Sequence, residues 1–193
     1  MADAGSLRDE PSEVEVVSHD VVFEGRVWDI VSERFAYGDG ELTREFMAHP
    51  GAAAIVAVDP ERRVLLIQQY RHPIGERDWE LPAGLLDVAG ESPLEAARRE
   101  LAEEADLTAG VWDELGAVHL SPGGSSELIH LFLARELSAT EAAFARDAEE
   151  AGIVVEWIPL DEAVRAVVDG RFRNAITGMG VLLAAERLRG TDR

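Results

Sequence analysis

Short alternating stretches fill the first quarter of the chain, and two continuous apolar runs follow them. Within residues 14–47, segments rich in β-branched and aromatic residues are interrupted at Glu24-Gly25 and at Gly38-Asp39-Gly40. This pattern predicts three antiparallel strands joined by short turns. A sheet of this size cannot bury both faces by itself. We therefore expect it to pack against the rest of the chain or against a second subunit.

The remainder of the chain predicts further strands and three helices, and it leaves a fourth, short helix open at 139–146 within the polar, acidic segment 136–152. The runs 52–58 and 63–70 are almost entirely apolar, as in central buried strands. Ser92-Pro93 is a typical helix start, with Ser at the N-cap and Pro in the first turn. Residues 75–80 have the composition of a polar loop. Hydrophobic periodicity predicts further strands at 111–120, 128–134 and 153–158, and helices at 159–169 and 174–188.

The order of strands, helix, strands and helices predicts an α+β fold. The arrangement that fits it is an α/β/α sandwich around a mixed sheet, preceded by a small N-terminal antiparallel β-domain. Residues 1–13 are charged and contain Gly, Ser and Pro, which predicts a disordered tail. The expected organisation is a tail at 1–13, a β-domain at 14–47 and a main domain at 48–193.

Composition and charge narrow the function. The 193 residues are 47% hydrophobic, contain no cysteine and carry a formal net charge of −20. Disulfides and thiolate sites are excluded, and neither nucleic acid nor an anionic membrane is an expected partner. No apolar run has transmembrane length and no signal region is evident, so we expect a cytoplasmic protein.

Three carboxylates share one part of the helix that begins near Ser92. At about 100° per residue, Glu100 and Glu104 project in nearly the same direction and Glu103 lies about 100° from Glu104. Such a cluster is unfavourable without a cation, and its oxygen ligands suit Mg²⁺ or Mn²⁺. The residues alone leave a second interpretation open, because Glu-rich helix faces are often merely solvated.

A wider pattern around these glutamates resembles the signature of the Nudix hydrolases, G-x5-E-x7-R-E-U-x-E-E-x-G-U. The matching residues are Gly84, Glu91, Arg99-Glu100-Leu101, Glu103-Glu104 and Leu107. Two departures are visible. One extra residue lies between Gly84 and Glu91, which should enlarge the loop before the helix. Asp106 occupies the position of the second glycine, and Asp adopts the left-handed conformation of a helix end less readily than Gly.

Flanking motifs are similar to the ADP-ribose pyrophosphatase branch of that family. They are Trp79-Glu80, Leu81-Pro82-Ala83-Gly84 and Ser121-Pro122-Gly123. The resemblance implies hydrolysis of the pyrophosphate bond of ADP-ribose to AMP and ribose 5-phosphate, with Mg²⁺ or Mn²⁺ as cofactor. It also implies a homodimer whose subunits exchange the N-terminal β-domain, so that this domain contributes to the partner's substrate site.

The resemblance further implies roles for individual residues. The metal ligands would be the three helix glutamates and a backbone carbonyl, and an Arg–Glu pair would orient them. The general base would be a carboxylate of the acidic loop before residue 153, with Glu149 favoured over Glu150. The implied metal ligands are Ala83, Glu100, Glu103 and Glu104, the orienting pair is Glu91 with Arg99, and the substrate contacts are Arg44, Arg71, Glu80 and Glu127. Trp28 is a further candidate, because its ring could stack on adenine, although aromatic residues in small β-domains more often serve packing.

Two other functions remain open at this level. The first is a Nudix pyrophosphatase that acts on another nucleotide sugar or on a dinucleotide. The second is a sensor that binds ADP-ribose without cleaving it. Sensors of this kind tend to lose box carboxylates, and all of them are present in this chain.

Overall fold

A computed structural model of the protein describes residues 7–141, 144 and 152–190. The first six residues of the predicted tail and both candidate bases, Glu149 and Glu150, lie outside this part. The chain divides into two units. The N-terminal unit comprises residues up to Ala48 together with Gly123–Ser125, and the main unit comprises residues 49–122 and 126 onward.

The N-terminal unit is a three-stranded antiparallel sheet in the order β1 (Val16–Phe23), β2 (Asp29–Tyr37) and β3 (Gly40–Ala48). Met47 adds a parallel bridge to Ser125, and its N–H donates to the carbonyl of Gly124 at 3.0 Å. Among the described residues of this unit, only Val31 is buried. The sheet therefore exposes apolar side chains that a sheet with a covered face would bury; the most exposed are Val21, Val22, Phe23 and Tyr37.

Within its described residues, the main unit has two sheets and three α-helices. Its first half also has a short 3-10 helix at His72–Ile74. The elements are β4 (Ala52–Ala57), β5 (Arg63–Arg71), β6 (Glu76–Glu80), β7 (Ala83–Leu85), α1 (Pro93–Ala105), β8 (Leu107–Val118), β9 (Ile129–Ala139), β10 (Val154–Pro159), α2 (Leu160–Val168) and α3 (Ala175–Arg189).

The two sheets of the main unit have the orders β7-β4-β9-β8 and β10-β5-β6. All their pairings are antiparallel except that of β4 with β9, which makes the first sheet mixed. Alternate residues of β4 and β5 enter two separate cores, as the two-residue period of a strand requires. Val56 and Leu66 pack with α2 and α3, whereas Ile55 and Ile67 pack with α1.

These layers confirm the predicted α/β/α sandwich with a mixed sheet and a preceding antiparallel sheet. The prediction of a polar loop at 75–80 was wrong, because β6 occupies Glu76–Glu80 and pairs with β5. Its sequence, ERDWE, has almost no apolar positions because β6 lies at the edge of its sheet. No helix within the described ranges combines the length and the apolar character needed to cross a bilayer.

Candidate active site

Helix α1 begins with a reciprocal cap and ends in a left-handed residue. The Ser92 side chain accepts the Glu95 N–H, and the Glu95 carboxylate accepts the Ser92 N–H at 2.8 Å. This capping box stabilises the first turn. Ala97 and Leu101 are buried against the sheet, and Asp106 ends the helix with φ of 54°. The cap and the apolar stripe together determine the direction in which the glutamate side chains of α1 project.

Arg99 of α1 contacts three of the box carboxylates. Its guanidinium donates to both oxygens of Glu91, at 3.1 and 3.0 Å, contacts Glu100 and reaches Glu103 at 3.4 Å. The hydrogen bonds to Glu91 raise the pKa of the Arg99 guanidinium well above its ordinary value, and the charge of Glu100 adds to this effect. Arg99 therefore stays protonated and ties the loop residue Glu91 to α1.

Strand β7 lies directly against the other face of the cluster. The Ala83 N–H donates to Glu104 at 2.8 Å, and the Glu104 side chain is buried. Gly84 lies so close to Glu100 that an added Cβ would overlap the Glu100 carboxyl group. A side chain at position 84 is thus incompatible with the present place of Glu100.

Arg71 and Glu80, both predicted to contact substrate, contact each other. Arg71 donates from Nε and Nη2 to the two oxygens of Glu80, each at 2.7 Å, in a bidentate pair. Gln69 donates to Glu80 as well, at 3.4 Å. Glu80 is buried, whereas the Arg71 side chain is 44% exposed. Ile67 of β5 packs with α1, and side chains two and four residues further along a strand point to the same face. Gln69 and Arg71 therefore lie on the face of the sheet that α1 covers.

Glu127, in the loop between β8 and β9, lies beside two histidines that sequence analysis did not select. Nε2 of His49 is 3.5 Å from its carboxylate, and the His119 ring bonds its carbonyl at 2.7 Å. Nδ1 of His49 accepts the Gly51 N–H, so the neutral ring carries its proton on Nε2, toward Glu127. Neither histidine has metal-ligand spacing, and the contacts depend on tertiary structure.

Arg44 and Trp28 belong to the N-terminal unit. Arg44 is exposed and donates to the Thr43 carbonyl at 2.8 Å. Trp28 is 41% exposed and lines a pocket of about 270 Å³ with Phe23, Arg26 and Ile30. An indole at the wall of an open pocket is a suitable surface for a planar ring.

A model described as the NUDIX domain matches residues 47–176 of this chain. The chain belongs to the Nudix family. Its matched segment contains the whole box, the Arg71–Glu80 pair and Glu127, but neither Trp28 nor Arg44. Hydrolases of this family generally use divalent metal ions.

Two bacterial enzymes and one solved structure are similar to this protein along most of the chain. An ADP-ribose pyrophosphatase of Mycobacterium tuberculosis is 41% identical over 172 residues, which cover 87% of this chain and 81% of that protein. An ADP-ribose pyrophosphatase of Bacillus subtilis is 34% identical over 170 residues, covering 88% of this chain and 91% of its own. A crystal structure of an ADP compounds hydrolase shares the fold, with a TM-score of 0.78 at 22% identity, over 96% of this chain and all of that one.

The Nudix box of this chain has the donor set that a hard divalent cation requires. Glu91, Glu100 and Glu103 contact the guanidinium of Arg99, and Glu104 accepts the N–H of Ala83. Carboxylate oxygens are the preferred ligands of Mg²⁺ and Mn²⁺. Among the described residues, no three acidic or histidine side chains are already arranged so that they could hold a metal ion. Besides Glu91, Arg99 contacts Glu100 and Glu103, so a cation bound by these two glutamates would require their contacts with Arg99 to loosen.

Proposed function

We propose that this protein hydrolyses the pyrophosphate bond of ADP-ribose and releases AMP and ribose 5-phosphate. The observation that carries the proposal is the 41% identity, along 87% of the chain, to a protein named ADP-ribose pyrophosphatase. The gathered box glutamates support it, because a binding module that did not hydrolyse would have no need to keep all of them. The same feature disfavours a non-hydrolysing sensor.

We assign the cation to Glu100, Glu103 and Glu104, together with the backbone carbonyl of Ala83. Mg²⁺ is the expected ion and Mn²⁺ the alternative. A divalent ion held there supplies positive charge that offsets the charge developing on the leaving phosphate. Arg99 and Glu91 orient the helix glutamates, as outer partners of metal ligands commonly do.

Arg71 is assigned to the diphosphate of the substrate. A guanidinium recognises phosphate oxygens in a bidentate way, and nearly half of the Arg71 side chain is exposed. Glu80 uses both of its oxygens to hold Arg71, so we assign it to orienting that guanidinium rather than to direct recognition. Arg44 and Glu127 are kept as further substrate contacts, and Trp28 as a stacking surface for adenine.

The attacking water needs a base that is not committed to the cation. Glu149 is the first choice and Glu150 the second, since a carboxylate outside the metal cluster keeps its proton affinity. The base takes a proton as the water oxygen forms its bond to phosphorus. The bond from phosphorus to the bridging oxygen breaks, and the second phosphate leaves.

The metal assignment is tested by Glu104→Gln. The amide keeps an oxygen that can accept the Ala83 N–H, so the fold should persist while turnover falls by several orders of magnitude. Glu186→Gln, the same change at an exposed helix position, should leave turnover intact. Near-normal hydrolysis by Glu104→Gln would contradict the assignment.

The substrate is tested by measuring kcat/KM with Mg²⁺ over ADP-ribose, other nucleotide sugars and dinucleotides. ADP-ribose should be the preferred compound. Preference for another compound would retain the chemistry and overturn the substrate. Calorimetric binding of ADP-ribose without any turnover would instead favour the sensor.

The base is tested by Glu149→Gln and Glu150→Gln at saturating Mg²⁺. Loss of a general base lowers kcat by about 10²–10⁴-fold, and the concentration of Mg²⁺ that gives half-maximal activity should stay the same. If both variants keep wild-type kcat, the base lies elsewhere in the chain.

We also propose a homodimer in which the N-terminal unit of one subunit contributes to the substrate site of the other. The exposed apolar side chains of that unit support the proposal, because their contact with water is unfavourable and a second subunit would cover them. The family resemblance described above points the same way.

A further inference from the structure

The short loop between β3 and β4, residues 49–51, is closed by the side chain of its first residue, His49. Nδ1 of the ring accepts the backbone N–H of Gly51 at 3.0 Å, and the His49 side chain is only 5% exposed. An imidazole nitrogen that accepts a hydrogen bond carries no proton, so the proton of the neutral ring is on Nε2. The loop therefore fixes both the place of the ring and the nitrogen from which it donates.

The Nε2 donor of His49 faces the carboxylate of Glu127 at a separation of 3.5 Å from Oε1. This distance is longer than a full hydrogen bond, and such contacts commonly shorten when a ligand binds. Backbone contacts hold the chain on both sides of Glu127. The His49 N–H donates to Oγ of Ser126 at 2.9 Å, and the Ala52 N–H donates to the carbonyl of Leu128 at 3.0 Å. The fold thus keeps the imidazole and the carboxylate together.

Glu127 lies at the end of the sheet that also carries the loop of the Nudix box. Ala52 of β4 pairs with Leu85 of β7 on one side and with Ile129 of β9 on the other. Neighbouring strands are about 4.8 Å apart, so Leu85 and Ile129 lie about 10 Å from each other. The Leu85 carbonyl accepts from Arg99 at 3.4 Å, and Glu127 directly precedes β9. A nucleoside diphosphate joined to a sugar is longer than this separation, so one molecule can meet both places.

We propose that His49 is a positioning residue that orients the Glu127 carboxylate toward the substrate. This inference rests on the proposed function, in which Glu127 contacts the substrate. A neutral N–H donor orients a carboxylate without cancelling its charge, so Glu127 remains a strong acceptor, and its side chain is 22% exposed. A carboxylate accepts hydrogen bonds and repels phosphate. The group that suits Glu127 is therefore a hydroxyl of the substrate's sugar.

Two conservative changes separate the two contacts of the ring. The oxygen of an asparagine amide can take the place of Nδ1, whereas the nitrogen of a glutamine amide reaches the place of Nε2. His49→Asn should keep the bond to the Gly51 N–H and lose the donor toward Glu127. His49→Gln should do the reverse, and it should be the less stable variant in thermal unfolding because the Gly51 N–H loses its acceptor.

Steady-state hydrolysis of ADP-ribose with Mg²⁺ measures the positioning role. His49→Asn should raise KM by about tenfold with kcat nearly unchanged, because an interaction that serves binding is lost. His49→Gln should keep KM within about threefold of the wild type. His130→Asn is the matched control, since it removes another imidazole near a carboxylate, 4.0 Å from Glu114, and it should leave KM and kcat unchanged.

A double-mutant cycle and the position of the ring proton complete the test. In a Glu127→Ala background, which has no carboxylate at this position, His49→Asn should raise KM no further, as expected of two groups that act as one unit. Nitrogen chemical shifts of protein with isotopically labelled histidine should show the proton of His49 on Nε2. The His49→Asn spectrum assigns the signal.

Wild-type KM in His49→Asn, with ADP-ribose hydrolysed normally, overturns the positioning role and leaves the proposed function intact. A rise of KM that persists in the Glu127→Ala background overturns it too, because the ring would then act through another group. Equal increases of KM in His49→Asn and His49→Gln would show that only the loop conformation matters, and a proton on Nδ1 would contradict the geometry. If the wild-type protein does not hydrolyse ADP-ribose, the proposed function fails and this inference falls with it.

Discussion

At the scale of single residues, the candidate site is built from pairs in which one side chain limits another. Arg99 holds Glu91 and Glu100, and Glu80 holds Arg71. Backbone groups take part too, since the Ala83 N–H holds Glu104. Of the residues that hold these side chains, Arg99 belongs to α1, Glu80 to β6 and Ala83 to β7. The residues expected to meet the substrate or the cation are therefore presented by neighbours that lose freedom on folding rather than on binding.

Gly84→Ala should lose much more hydrolytic activity than its loss of stability would explain. The added methyl would overlap the Glu100 carboxyl group, which must then move from its place beside Arg99. We expect kcat/KM to fall by about 10²-fold or more, because a ligand misplaced by about 1 Å can cost that much. Hydrolysis assays and thermal unfolding should be measured together.

Gly40→Ala is the matched control for that change, since a methyl at position 40 meets no atom within 4 Å. It should leave hydrolysis and unfolding essentially as in the wild type. If Gly84→Ala is equally active, the close approach of β7 to Glu100 has no catalytic importance.

At the scale of elements, α3 packs tightly at Gly180 against the side chains of Leu81 and of Val56 in β4. A Cβ at Gly180 would be 2.6 Å from Cδ1 of Leu81 and 3.0 Å from Cγ2 of Val56. Both neighbours are fully buried in the core shared with α2 and α3. A tightly filled core has no space to accept another methyl without displacing its neighbours.

Gly180→Ala should therefore destabilise the protein by about 1–3 kcal/mol, the usual range for overpacking. Gly178→Ala, on the same helix, places its methyl 3.4 Å from one side-chain atom of Val167. It should be neutral or stabilising by up to about 1 kcal/mol, because Ala favours helix more than Gly. Chemical denaturation measures both, and equal destabilisation by the two changes would contradict the packing argument.

Elements marked in the sequence by a helix cap, a periodic apolar stripe or an apolar run could be predicted, whereas β6, which has none of these marks, could not. The helix at Pro93–Ala105 follows from its cap and its periodic residues, and β4 and β5 from their apolar runs. β6 is missed because its strand character comes from pairing with β5. Likewise, β9 continues to Ala139, beyond its apolar core, through its pairing with β8.

The candidate site divides in the same way. The box glutamates follow from spacing, because they share one helix. The Arg71–Glu80 pair depends on the register of β5 with β6, and the contact of His49 with Glu127 joins two loops that are far apart in sequence. Neither contact was predicted from the sequence.

At the scale of the whole molecule, charge and exposed apolar surface have opposite consequences for assembly. A net charge of −20 makes copies of the chain repel each other at long range. Val21, Val22 and Phe23 of β1 are each more than half exposed, and they favour contact at short range. Salt screens the first effect and leaves the second, so dimerisation should strengthen as ionic strength rises.

Val22→Glu should shift the protein toward the monomer. It places a charge in the apolar surface of β1, where the side chain is 57% exposed. Val168→Glu makes the same change on α2, at a side chain 74% exposed, and should leave the assembly unchanged. Sedimentation velocity over a range of protein concentration measures both. A wild-type chain that sediments as a fully active monomer at assay concentration would refute the proposed dimer.

The bridge from Met47 to Ser125 has a consequence for the order of events during translation. About 80 residues separate the two partners, and ribosomes add roughly 5–20 residues per second, so β3 waits about 4–16 s for this contact. All three strands of the N-terminal sheet are complete in that interval, but the backbone N–H of Met47 has not yet met Gly124. Neighbouring ribosomes on one message hold such unfinished sheets close together. For the homodimer proposed above, pairing between nascent chains would then begin before either substrate site is complete.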